Sequence, residues 1–408
     1  MSRSPLLPIL LTVFVDVLGL TLMLPLLPFY AEHFGASPLT VTILGASYAA
    51  CQLVSGPLLG RLSDRIGRKP VLLGSQIGTL LGFLLIASAS WADPRYGLLL
   101  LFAGRMIDGA TAGNLSIAQA YISDVTTTEN RTRSFALIGI AFGMGFLFGP
   151  PFSGLLAHSF GFASPAFAAA ALSMLSIFFT ARFLPNQVEL EKLKLAHGAA
   201  PEPGGPPAGA RTFAFGRFLS RPATRAHLLQ FFAFTTSFAV LTGGLALFLE
   251  RRFGFNVKST GYVFMVSGLV GALIQGGAIG RLVKRFGEAK LALLGFLSMA
   301  LTFPFLGVVG HIGELIAIVA ISSFGVAVVR PCVTTLITRS VNRGEQGAAL
   351  GTGQSLASIA QLVGQPLAGL LIEHKLLGGY GLAAGAFALV GVLLSLQVQA
   401  RVAPVPSS

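Results

Sequence analysis

The chain has 408 residues, of which 53% are hydrophobic and 11% charged, with a formal net charge of +13 and a mean hydropathy of +0.77. Soluble proteins carry about 25% charged residues, so a multidomain soluble enzyme, a disordered chain and a secreted disulfide scaffold are all excluded. Most of this chain has lipid as its solvent, and its basic residues lie in short loops between apolar runs, a distribution that argues against a nucleic-acid partner.

Met1 to Pro5 leads into an apolar run from Leu6 to Tyr30. It is too long for a signal-peptide core and reads as a retained first spanning helix. A span needs about 20 apolar residues. Eleven further runs follow, roughly 39–59, 70–90, 97–121, 134–157, 163–184, 225–249, 259–280, 289–309, 313–338, 346–373 and 379–400. The predicted fold is therefore all-α and integral to a membrane, with twelve transmembrane helices in two six-helix bundles. Residues 1–184 form the first bundle and 225–408 the second, including a short tail. The polar stretch 185–224, with its Pro201-to-Ala210 segment rich in Pro and Gly, is a flexible cytoplasmic linker.

Ionisable residues at membrane depth are costly and default to function. The first run carries Asp16, about 15 Å in from the start of its helix. The fourth carries Arg105 and Asp108, three residues apart and so able to pair on one helical face. Ser116 and Gln119 continue that face toward the cytoplasm, as expected where a helix lines water, while Thr111 and Asn114 lie further round. Either Asp16 or Asp108 is expected to exchange a proton, with Arg105 tuning it. A permanent Arg105–Asp108 pair that only holds helices together is the alternative. In the fifth run Gly145 and Gly149 have small-residue spacing, and Pro150 and Pro151 bend the helix. In the seventh, Phe231, Phe232, Phe234 and Phe238 cluster near Gln230, suggesting a roomy aromatic cavity with Phe234 on its wall. Arg330 precedes Pro331 in the tenth run, either facing substrate or reaching toward the cytoplasm.

Between the second and third runs, Gly60-Arg-Leu-Ser-Asp-Arg-Ile-Gly67 matches Gly280-Arg-Leu-Val-Lys-Arg-Phe-Gly287 at an offset of 220. Gly149-Pro-Pro-Phe-Ser-Gly154 similarly matches Gly364-Gln-Pro-Leu-Ala-Gly369 at 215. A duplicated six-helix unit follows, the architecture of a secondary transporter. Twenty-one Lys and Arg residues fall on the side of the amino terminus against five on the other, which predicts both termini in the cytoplasm. Cys51 and Cys332 read as small core residues, and the scattered histidines offer no metal centre or cofactor site.

These motifs resemble the major facilitator superfamily, and within it the twelve-helix drug:proton antiporters that include the tetracycline exporters. Gly60 through Lys69 fits the superfamily's loop signature at every position. Asp16-Val-Leu-Gly19 with Pro25-Leu-Leu-Pro28 is similar to the antiporters' first-helix motif. Arg105 with Gly109 fits the fourth-helix motif. Gly145-Phe-Leu-Phe-Gly149-Pro150-Pro-Phe-Ser-Gly154 resembles the fifth-helix antiporter motif, with Ser153 where Gly is usual. The tetracycline exporters' acids in the third and ninth helices have no counterpart here, so the resemblance implies proton-coupled export more than it implies tetracycline.

The resemblance further implies a cytoplasmic gate of Gly60, Asp64, Arg65, Gly67 and Arg68. In it Asp64 sits against the start of the eleventh helix and Arg65 pairs with Asp124. It also implies a contact between the fifth helix and the other half that seals against proton leak. The expected protein is a functional monomer in a bacterial inner membrane. Protons, membrane lipids and a hydrophobic or amphipathic small molecule are its partners, and Asn114, Gln119, Gln230, Phe234 and Arg330 line its cavity. An uptake symporter and a lipid or lysolipid transporter are the alternatives. An enzyme, a channel and a nucleotide-driven pump are disfavoured: no clustered catalytic groups, charged rings or GxxxxGK[ST] are present.

Overall fold

The computed structural model describes residues 6–125, 128–185, 215–342 and 345–402. Hydrocarbon offers a backbone no hydrogen-bond partner, so each apolar run must satisfy itself. Among the described residues all regular structure is helical. The first six spans are α1 (Leu6–His33), α2 (Pro38–Ile66), α3 (Arg68–Ser88), α4 (Pro94–Ala110) continued by α5 (Asn114–Val125), α6 (Thr128–Phe160) and α7 (Ala163–Phe183). A short helix, α8 (Phe215–Leu219), precedes the other six: α9 (Pro222–Phe253), α10 (Val257–Leu273), α11 (Ile279–Thr302), α12 (Ile312–Arg339), α13 (Gln346–Glu373) and α14 (Leu377–Val402). Together they make an all-α membrane fold of two six-helix bundles.

Helix starts follow local chemistry. Ser37 caps α2 and Asp93 caps α4, each immediately before a proline whose fixed φ suits the first turn. Two expectations need correction. The fourth span is not one helix: it breaks at Thr111–Gly113, where Gly113 N turns back to Thr111 O at 2.7 Å. Apolar periodicity cannot register such a break, although Gly109 and Gly113 mark it. The second span also continues past its apolar run of 39–59, to Ile66. Gly60 lies inside α2, and the chain reverses at Gly67 alone, whose φ of 101° suits only glycine. Its repeat partner Gly287 has φ 71° and kinks α11, so that the helical stretch Val257–Gly307 crosses twice.

The halves meet along two seams, α6 with α10 and α2 with α13. The first is tight throughout. Gly154 lies on Lys258, Gly261 on Pro150 and Gly268 on Phe146–Leu147, each so close that a side chain would strike backbone. The second seam is tight at one end. Gly369 abuts Pro38 and Leu39, and Glu373 accepts from Ser37 Oγ and Leu39 N at 2.9 Å each. Farther along, Gly56 and Gly60 of α2 and Gly347 and Gly351 of α13 have nothing within 4 Å of where a side chain would begin. The halves are thus joined at the end where α1 passes to α2.

Candidate functional site

Asp16 lies at mid-depth in α1, where Ser176 Oγ of α7 donates to its carboxylate at 2.6 Å. The side chains of Asn114 on α5 and Gln76 on α3 also stand beside it. Gln76 Nε2 in turn reaches Ser176 Oγ at 2.8 Å and Thr180 Oγ1 at 3.0 Å, and Thr180 meets Thr12 at 3.3 Å. Four spans therefore converge on one carboxyl through neutral groups. No cation stands within 4 Å of it among the described residues.

Asp108 is placed differently. Arg105 Nη1 meets it at 3.1 Å, with both side chains less than 10% exposed. The Arg105 guanidinium also stacks over the Tyr48 ring at 4.4 Å, and Thr79 hydrogen-bonds to Asp108. Gly82 and Gly104 make room by bringing α3 and α4 to backbone contact. The i,i+3 spacing read from the sequence does form this pair. Arg105 Nε nevertheless remains buried without a hydrogen-bond partner among the described residues.

Of the remaining expected residues, Asn114 joins Asp16 as the first residue of α5. Gln119 is half-buried on α5, and Ser116 is exposed there. The break at 111–113 means that these two do not simply extend the Arg105–Asp108 face. Gln230 does not line a cavity: it is 2% exposed, bonded to His227 at 2.8 Å and to Ser395 at 3.0 Å between α9 and α14. Phe234 is also core, stacked on Phe238. Phe238, with Phe146, Phe264 and Phe303, lines an apolar cavity of only about 30 Å³, far below the roughly 300–1,000 Å³ of a drug-sized site. Among the described residues the aromatic cluster expected to line a roomy cavity on α9 therefore borders only this small one. Arg330 is exposed, yet its guanidinium lies 5.4 Å from the Phe142 ring of α6 in the other half. That combination places it in the space between the halves.

The fifth-span motif has two working faces. Gly145 and Gly149 press on Val17 and Thr21 of α1, within their own half, and Thr21 Oγ1 donates to Gly145 O at 3.0 Å. Pro150 and Gly154 meet α10 across the seam. At the loop, Asp64 pairs with Arg68 at 2.6 Å, and Arg68 also donates to Ser63 Oγ at 2.7 Å. Lys69 Nζ ties the loop to the end of α7 through Ala181 O and Leu184 O, at 2.9 and 2.7 Å. Arg65 is exposed. The Asp124 side chain, and so its expected pairing with Arg65, lies outside the described residues.

Glu345, at the start of α13, is gripped by Arg221 at 2.6 Å and by Arg217. Hydrogen bonding from Arg221, with the charge of Arg217 beside it, holds the Glu345 carboxyl below its ordinary range. A carboxyl lowered in the folded state stabilises above its unfolded range, and that contribution is lost as pH falls through the folded one. Glu345→Gln is therefore expected to lower the melting temperature slightly at neutral pH and not at all in strong acid. Thermal unfolding against pH checks this. At the joined end, Arg251 of α9 pairs with Glu32 of α1 and with its neighbour Glu250.

Sequence reasoning found the three buried charges but missed Gln76, Ser176, Thr180 and Tyr48. Their signal was present as polar residues at helical spacing inside apolar runs, Gln76 with Thr79 and Ser173 with Ser176 and Thr180.

The sequence pattern of the Major Facilitator Superfamily matches residues 9–287 and 276–407. The class B tetracycline resistance protein of Escherichia coli is 29% identical over 365 residues, covering 89% of this chain and 87% of its own length. Multidrug resistance protein 2 of Bacillus subtilis is 25% identical over 395 residues, covering 94% and 92%. The crystal structure of the human organic anion transporter MFSD10 (TETRAN) shares the fold, with a TM-score of 0.72 at 23% identity over 96% of this chain and 99% of that one.

Proposed function

The chain belongs to the Major Facilitator Superfamily, and we propose that it is a proton-coupled antiporter exporting a hydrophobic or amphipathic small molecule by alternating access. The observation that carries this reading is Asp16, an acid at mid-membrane depth held only by neutral groups. Asp108 beside it is already matched by Arg105. Asp16 can change its protonation state at little cost to the ion pair, whereas Asp108 cannot. The substrate enters the space reached by Arg330 and Phe142, and its binding displaces the Asp16 proton. The halves, residues 1–184 and 225–408 hinged through 185–224, then rock to open the opposite end.

The names of the tetracycline and multidrug resistance relatives support a lipophilic substrate. Residues 70–90 and 291–309 contain no acid, which supports a class broader than tetracycline. With twenty-one of the loop cations on one side, both termini lie in the cytoplasm of a bacterial inner membrane, and the monomer is the working unit. In proteoliposomes with an inside-acid gradient, a subset of lipophilic cations, neutral drugs and lysolipids should collapse the gradient. Uptake driven by an outside-acid gradient, with no such collapse, would identify a symporter instead.

At the joined end, the Arg251–Glu32 pair acts as a latch between α1 and α9. Arg251→Gln is expected to lengthen the distance between spin labels on the two helix ends, measured by pulsed electron resonance. An unchanged distance distribution would remove the pair from the gate.

A further inference from the structure

The two copies of the repeated loop differ in one chemically decisive position. In the first, Asp64 supplies an acid and pairs with Arg68. In the second, Lys284 replaces that acid, so Arg281, Lys284 and Arg285 stand three and four residues apart on one face. All three are exposed, and Lys290 nearby is exposed as well. Among the described residues none of these cations has a carboxylate within 4 Å. Glu288, the acid beside them in sequence, is already taken by Arg339 at 2.8 Å.

What lies above the cations selects their partner. Tyr262, Leu269 and Leu273 are 41%, 47% and 65% exposed and fall at helical spacing on α10. Each is one residue on from Gly261, Gly268 or Ala272, which face α6, and so lies about 100° round the helix. This apolar stripe is turned out of the seam toward lipid. It descends through a π turn at Ile274–Ala278, where Gly276 and Gly277 have nothing within 4 Å of where a side chain would begin, and arrives at the cations. An apolar stripe, a side-chain-free notch and a patch of unpaired cations, in that order along one helix, match the acyl chain, glycerol region and phosphate of a phospholipid. Soluble anions have no use for the stripe, and a zwitterionic headgroup would leave most of the positive charge unmatched.

We propose that the α10–α11 junction is a docking site for an anionic phospholipid, its phosphate held by Arg281, Lys284 and Arg285 and its chain lying along Tyr262, Leu269 and Leu273. The first loop copy differs in carrying Asp64 at this position, paired with Arg68.

The test is native mass spectrometry and thermal unfolding of the full chain in mild detergent. Phosphatidylglycerol, phosphatidylethanolamine, phosphatidylcholine and inorganic phosphate are added in separate arms. Phosphatidylglycerol should bind at least about tenfold more tightly than phosphatidylcholine and raise the melting temperature, with inorganic phosphate inert. That preference should vanish in Arg281→Gln/Lys284→Gln/Arg285→Gln and survive in Arg281→Lys/Arg285→Lys, which keeps the charge. Lys284→Asp, which restores the residue of the first loop, provides a milder variant and should weaken the preference on its own. Equal binding of all three lipids, a preference unchanged by both the triple variant and Lys284→Asp, or an equal effect of inorganic phosphate would each overturn the proposal.

Discussion

Asp16→Asn is expected to fold and to bind substrate, yet to drive no uphill export, with coupled transport falling to the level of empty vesicles. The amide is nearly isosteric with the carboxyl and can still accept from Ser176 Oγ, which lies at 2.6 Å in the wild type. Asn114 and Gln76, the other neighbours, can each present either an oxygen or an NH₂ group by turning the amide. The network therefore survives the change while the exchangeable proton is lost. Substrate equilibrating down its own gradient should persist, because alternating access itself does not require the proton. Flux assays with and without an imposed pH gradient separate the two quantities. If Asp16→Asn still concentrates substrate against its gradient, the coupling group lies elsewhere.

Arg105→Ala is expected to have the largest effect on stability. It leaves Asp108 buried, with its side chain 6% exposed and its guanidinium partner gone. Breaking a buried pair in this way costs roughly 3–5 kcal/mol. The substitution also removes the stacking over Tyr48. Removing both charges is far milder, because no uncompensated ion remains. Arg105→Met with Asp108→Leu should thus melt well above Arg105→Ala while transporting no better. Thermal unfolding of the three proteins in one detergent makes the comparison. A single variant that melts like wild type would mean that the pair carries no packing role.

The number, order and approximate ends of the spans could be read from apolar run length, because lipid imposes a length requirement that composition alone must meet. The buried charges could be read for the same reason: a lone acid or base stands out against hydrocarbon. What could not be read was where side chains from different helices meet. Gln230 and Phe234 sit on a face that packs against α14 and the core, and nothing local distinguishes that face from a cavity wall. Gly145 and Gly149 showed a close-packing pattern without showing that α1, rather than the other half, would fill it. The break before Asn114 escaped because a hydrophobic run looks continuous even where its backbone turns. Gln76 and Ser176 are ordinary polar residues until the fold brings them to one carboxyl.

The central claim is that substrate binding displaces a proton from Asp16. Its most direct measurement is proton release on substrate addition, in weakly buffered detergent solution with a pH indicator. A responding drug from the proteoliposome panel serves as the substrate. Wild type and Asp108→Asn should both acidify the medium on substrate addition, and Asp16→Asn should not. Undiminished release from Asp16→Asn, or its loss in Asp108→Asn alone, would contradict the assignment and move the coupling proton to the Arg105–Asp108 pair.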